Sequence, residues 1–430
     1  MDAPTGIRGC LRILNRAGEG NQVTAQDGGS SDPGPVSDDG TGMANLNRRE
    51  VLKGAALAPA VAKNLWNGAG QEEKRRLLLV GTQTVDGSAS QGIYAFHWEP
   101  GTGELTALGL TAACENPTFL AVAPDAKFVY AANEIDKFEG EASGSVSSFA
   151  INTATGKLTP VNRIRSLGTG TCMVAVDTLG RNLFCANYTG GSATSFYLNS
   201  DGQISDPVSH FQYSGHGPVK DRQEGPHAHR VTPSPDDKWL LVNDLGLDCI
   251  HVYHLDNRTA KLTPNDPPQW TATPGSGPRA LRFHPNGHIA YCVHELASQV
   301  EVLRWDAEKG TLHSIQKVSL IPEDYHGATR GCDIVVDRAG RFAYAANRDY
   351  DCLVSFSVEP KEGRLTMLGR GECGGNIPRH LTLDPTERWL LVANQDTDNL
   401  SIFSRDPRSG ALGQNPKNVP LAKPQCLVWA

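Results

Sequence analysis

Residues 340–348 read GRFAYAANR: a glycine-arginine turn, an apolar run, and a polar Asn347-Arg348 pair at its end. By itself the stretch is one short strand. Its weight comes from recurrence, because the same pattern stands at 126–134 (AKFVYAANE), 180–188 (GRNLFCANY), 237–245 (DKWLLVNDL), 287–295 (GHIAYCVHE) and 387–395 (ERWLLVANQ). A further copy, KRRLLLVGTQ at 74–83, opens the series. With the Asn or His before the last residue as marker, the copies fall at Asn133, Asn187, Asn243, His294, Asn347 and Asn394. The period is about fifty residues, and self-similarity at such a period signals a repeat architecture.

After each copy comes an alternating strand and then a turn with Gly and Leu, as in GIYAFHWEPGTGELTAL (92–108) and DCLVSFSVEPKEGRLTML (351–368). Gly supplies the positive φ that a hairpin turn needs, so each unit carries at least three antiparallel strands. Before each copy stands another strand, often opened by Pro: NPTFLAVAP (116–124), GPRALRFHP (277–285), IPRHLTLDP (377–385). The last such segment, KPQCLVWA (423–430), ends the chain, whereas the first unit has none in front of it. The C-terminal segment must therefore complete the first unit. The counting predicts an all-β fold, a seven-bladed β-propeller of four-stranded antiparallel blades over 71–430, its ring closed by the C-terminal strand. Two β-sandwiches are the alternative, and a regular period with a displaced terminal strand disfavours them.

Composition agrees with a chain that turns often: 45 Gly and 27 Pro in 430 residues, with 39% hydrophobic and 20% charged residues. An all-α bundle is excluded on these grounds. The formal charge of -7 disfavours a nucleic-acid binder, which needs a concentrated basic surface. The ten cysteines form no CxxC and no short-range Cys/His cluster, so no zinc finger is indicated. No apolar run is long enough for an ordinary membrane span.

Residues 1–42 are rich in Gly, Ser, Asp and Pro and are expected to form a disordered extension. Residues 43–70, with Arg48-Arg49 followed by Leu52-Lys53 and AALAPAVA, resemble a twin-arginine export signal, which predicts a periplasmic or exported protein. A short amphipathic helix, and hence a cytoplasmic protein, is the other reading.

In a propeller the start of each innermost strand and the end of the next lie on one face. That rule gathers Thr118, Cys172, His227, Arg279, Asp333 and Arg379 with Glu134, Tyr188, Asp244, Glu295, Arg348 and Gln395 around one mouth. Convergent ionisable groups in a concave site are where binding or catalysis is expected. His227 and His229, two apart on a strand, would share a face as a metal pair does, but a third ligand is not evident. The repeat alignment reads His229 as blade packing, with Met173 and His380 packing or supporting, and no metal or other cofactor is expected.

The segments RQEGPHAHR (222–230), GSGPRALRFHP (275–285), CVHELASQVEV (292–302) and IPRHLTLDP (377–385) resemble the seven-bladed lactonase propellers, which include bacterial 6-phosphogluconolactonase and carboxymuconate cyclase. The resemblance covers about 75–430 and implies a functional set at His227, Arg279, Glu295 and Arg379. Ala280, Met173 and His294 depart from residues common in the family, which bears on substrate identity.

What the resemblance implies is hydrolysis of a sugar-acid lactone, with 6-phosphogluconolactone of the pentose phosphate pathway leading. Such hydrolysis needs a base for water, an oxyanion donor and an acid for the leaving ring oxygen. Glu295 is assigned as base and His227 as acid, or the reverse if Glu295 orients an arginine. Arg279 would face the oxyanion, while Arg379 would grip a phosphate or carboxylate. Arg348, Asp333 and Glu134 would help bind a small anionic lactone. Alternatives are a non-catalytic ligand- or partner-binding propeller and a carboxymuconate-type cycloisomerase.

Overall fold

The computed structural model describes residues 76–85 and 87–430, so the expectations for 1–42 and 43–70 lie outside the described residues. These residues form 28 strands, from β1 (Arg76–Thr82) to β28 (Pro424–Trp429). They are arranged as seven four-stranded antiparallel sheets. Six sheets are consecutive meanders, and the remaining one has the order β28-β1-β2-β3, where β2 is Gly92–Glu99 and β3 is Glu104–Ala113. The C-terminal strand thus closes the ring by pairing with the first, Leu79 opposite Val428.

Apolar side chains from neighbouring blades interdigitate to hold the ring together. Leu78, Val80, Phe96 and Trp98 of the closing blade pack with Leu391, Ala393, Leu400 and Ile402 of the blade before it. Glycine in the outer hairpin turn has a second reason besides its dihedral angle. Gly310 has φ 63°, and a Cβ there would stand 2.5 Å from the Trp239 ring of the adjacent blade. The repeat therefore conserves space as well as turn geometry within its own copies.

One irregularity repeats at the mouth. Every innermost strand slips register near its start: between Pro117 and Phe119, Thr171 and Met173, Ala228 and Arg230, Pro278 and Ala280, Gly331 and Ile334, and Pro378 and His380. In β28 the slip falls between Pro424 and Cys426, which pair with Thr82 and Gly81. A bulge leaves a residue unpaired and re-aims its side chain. Here it turns Thr118, Cys172, His229, Arg279, Asp333, Arg379 and Gln425 toward the axis, where all seven line one cavity.

This register corrects the alignment of one blade. Glu295 N donates to Gly277 O, and the matching bond is Leu245 N to His227 O. His227 therefore stands at the position of Gly277, and His229 at that of Arg279. The marker Asn243 misled because Asp244 is the true counterpart of His294: Ala228 pairs with Asp244 as Pro278 pairs with His294.

Candidate active site

The cavity at the mouth has a volume of about 250 Å³ and is lined by six arginines against three carboxylates, so it seeks an anion. Of the residues expected there, Arg279, Glu295, Arg348, Arg379, Asp333 and Glu134 line it. His227 does not. It precedes the bulge, stacks on Tyr188 with ring centroids 4.4 Å apart, and points its Nε2 at exposed Glu224, 3.2 Å away. The two histidines consequently fail to share a face. Asp244 also stays out of the cavity, its Oδ1 accepting bonds from the N–H groups of His227, Gly246 and Leu247.

Glu295 is the hub of the charges. Its Oε2 lies 2.9 Å from Arg279 Nε and 2.5 Å from Arg348 Nη2, and its Oε1 accepts from Arg222 Nη2 at 2.5 Å. Burial opposes its charge, but Arg348 and Arg279, with the bond from Arg222, hold the carboxyl well below the usual carboxylate range. A carboxylate so saturated has little basicity left, and it serves to fix guanidinium groups.

His229 is placed otherwise. Burial first, and then the positive charge of Arg279, Arg379 and Arg348, push its pKa well below the ordinary 6.5 despite the nearby Glu295. It is neutral at neutral pH, and among the described residues its ring nitrogens have no hydrogen-bond partner. Tyr188 meets it edge to face at 5.7 Å. The result is a free imidazole base beside a cluster of guanidinium groups.

A second charged group lies next to it. Asp333 is 3.2 Å from Arg230, 3.6 Å from His380 and 4.0 Å from Arg282. Burial again opposes the charge, and Arg230 and Arg282 outweigh it, keeping Asp333 ionised. Arg379 is only partly engaged: its Nε donates to Gln425 Oε1 at 2.8 Å, leaving its terminal N–H groups without a partner among the described residues. Such a fork suits a carboxylate or phosphate.

Sequence reasoning assigned no role to Arg222 or Arg330. Arg222 reaches the site from the segment between β11 (Ile204–Gln212) and β12 (Ala228–Pro233). That segment is tied down by Gln223, whose side chain donates to Leu245 O at 2.8 Å. Arg330 is held by a two-pronged bond to Asp349, 2.7 Å on each side. The repeat gave no signal for either: Arg222 lies outside the copies, and Arg330, first residue of β20 (Arg330–Val336), pairs with Arg348 ahead of the register slip that aims the other residues inward. Among the described residues no cluster of three or more His, Cys, Asp or Glu is arranged to hold a metal ion.

Comparison with known proteins bears on this geometry. The family model for "Lactonase, 7-bladed beta-propeller" matches residues 77–429. A 6-phosphogluconolactonase of Bacillus subtilis (strain 168) is 35% identical over 308 residues, 72% of this chain and 85% of that protein. The crystal structure of a putative 6-phosphogluconolactonase from Bacteroides fragilis superposes with TM-score 0.77 at 34% identity, covering 84% of this chain and 100% of that one. A periplasmic gluconolactonase of Pseudomonas aeruginosa gives TM-score 0.78 at 32% identity, over 83% of this chain and 99% of its own. With the whole ring matched, the chain belongs to the seven-bladed β-propeller lactonase family.

Proposed function

We propose that the mouth hydrolyses the lactone of a sugar acid, with 6-phosphogluconolactone, giving 6-phosphogluconate, as the leading substrate. The observation that carries this is one neutral, unpartnered imidazole, His229, set among six arginines in a monosaccharide-sized cavity. His229 accepts a proton from water as the water oxygen bonds to the lactone carbonyl carbon. Arg279 steadies the oxyanion that forms, which is the interaction that counts most in acyl transfer. The bond from that carbon to the ring oxygen then breaks, and the imidazolium returns its proton to the departing oxygen. Glu295 orients Arg279, Arg348 and Arg222, in place of the base role expected for it, and His229 replaces His227. Arg379 grips the phosphate, with Arg348 behind it; Asp333 keeps Arg230 in place.

A second reading, an unphosphorylated aldonolactone, is favoured by Glu134. Its carboxylate has no ion-pair or hydrogen-bond partner among the described residues, and it lines the cavity where it would repel a phosphate. The test is acid release by the purified protein from glucono-δ-lactone and its 6-phosphate, corrected for spontaneous hydrolysis, with Arg279→Ala and Arg379→Ala variants. Turnover of the phosphorylated lactone, lost at least 100-fold in Arg279→Ala and weakened mainly in KM by Arg379→Ala, is expected on the first reading. Turnover confined to the unphosphorylated lactone supports the second and fits export through the 43–70 segment. No turnover by folded protein overturns both in favour of a binding propeller, or of a cycloisomerase if a muconate-type diacid is consumed.

A further inference from the structure

Beside the arginine-lined cavity a second compartment of about 380 Å³ opens on the same face. The two share Thr118, Glu134, Arg379 and Gln425 as a common wall. Beyond that wall the chemistry changes. Among the described residues Arg379 is the sole cation of the second compartment, whose own lining includes Asp136, Thr189 and Gln395. Carboxylates accept hydrogen bonds and repel anions, while amides and hydroxyls both donate and accept. Together they suit an uncharged group rich in hydroxyls.

The compartment is built before any ligand arrives. Asn116, on its wall, is fixed by Thr84 N at 3.0 Å and donates to Glu134 O at 2.6 Å. Gln425 donates to Gln395 at 2.9 Å, and Gln395 to Asp396 at 2.9 Å. Against this order, one buried group is unmet: Thr118 is 7% exposed, and its Oγ1 has no hydrogen-bond partner. It stands on the wall facing both spaces, with the unpartnered carboxylate of Glu134 close by in sequence of the paired strand. Buried polar groups are normally satisfied, so an orphan in a cavity wall points to a ligand.

We infer that this second compartment binds a sugar unit attached to the lactone, so that the substrate class is the lactone of a disaccharide acid. The inference rests on the lactonase reading in its unphosphorylated form. The lactone ring occupies the arginine-lined cavity, and the second sugar presents its hydroxyls to Thr118, Glu134 and Asp136.

The test has two readouts on the full-length protein. Equilibrium binding of gluconate and of lactobionate, its galactosyl derivative, is measured by calorimetry, and kcat/KM is measured for the two corresponding δ-lactones. Lactobionate is expected to bind at least tenfold tighter, and its lactone to be hydrolysed with at least tenfold higher kcat/KM. The ratio should fall severalfold in Asp136→Ala, an exposed substitution, and in the isosteric Thr118→Val. If gluconolactone is turned over as well as or better than lactobionolactone, the inference fails and the lactonase reading stands. If neither lactone is turned over while lactobionate still binds more tightly than gluconate, the lactonase reading in its unphosphorylated form fails and the sugar compartment stands.

Discussion

At the scale of single residues, the site turns on which histidine faces the cavity. His229 lines it and has free ring nitrogens, whereas His227 is stacked on Tyr188 and tied to its carbonyl at 3.1 Å. His229→Asn is therefore expected to lower kcat on the preferred lactone by about 10²- to 10⁴-fold, the usual worth of a positioned base. His227→Asn should cost less than about tenfold, through Tyr188. Steady-state kinetics of the two variants check this, and equal losses would count against His229 as base. That His229 rather than the expected His227 lines the cavity has a plain cause. The segment from Gly225 to Arg230 offers two histidines two apart, and only the strand pairing, Ala228 opposite Asp244, says which one is bulged. Arg279, Arg379 and Glu295 were legible because each sits at a repeat position with no competing neighbour. Arg222 was not, because its side chain enters from a connection that the repeat does not describe.

At the scale of elements, strand count and order were legible in the repeats, but the bulges were not. Periodicity reports which face a residue takes if pairing is regular, and a slip of one position reverses that. The turn glycines, by contrast, could be read for their dihedral angle but not for the neighbour they touch. Gly310, in an outer turn, and Gly109, inside β3 beside a register slip, separate the two effects. Both have positive φ, 63° and 87°, yet a Cβ at Gly310 would collide with Trp239, while one at Gly109 would meet nothing within 4 Å. Gly109→Ala should cost only the left-handed backbone penalty, on the order of 1 kcal/mol. Gly310→Ala should cost about 1–3 kcal/mol more, because the Trp239 ring must shift in a close-packed seam. Urea unfolding of both variants measures the difference, and equal losses would show that the seam yields freely.

At the scale of the whole molecule, the ring draws its blades' charged residues to one axis, so stability and chemistry respond to the same protons. His380, beside Asp333, is pushed down to about 3, by burial first and by Arg282 and Arg230 against the pull of Asp333. His229 is lowered in the same direction. An unfolded chain protonates such histidines near their ordinary 6.5, but the folded ring does not. Stability is thus unaffected by them above pH 6.5 and declines as pH falls below it, by about 1.4 kcal/mol per pH unit for each histidine that the unfolded chain alone protonates. Glu295 and Asp333 are depressed from 4.5 and 3.8, so their contribution is full above those values and is lost as pH falls further. Thermal unfolding should accordingly show a midpoint that is flat from pH 8 to 7, drops from about 6 downward, and drops more steeply below about 4.5. His380→Gln removes one of the protons taken up on unfolding, so its midpoint should fall less steeply between pH 6 and 5 than that of the parent. A parent curve with no slope in that interval would mean that the two histidines take up protons in the folded ring as readily as in the unfolded chain. His229 would then be charged at pH 5, and hydrolysis would be lost in the same interval.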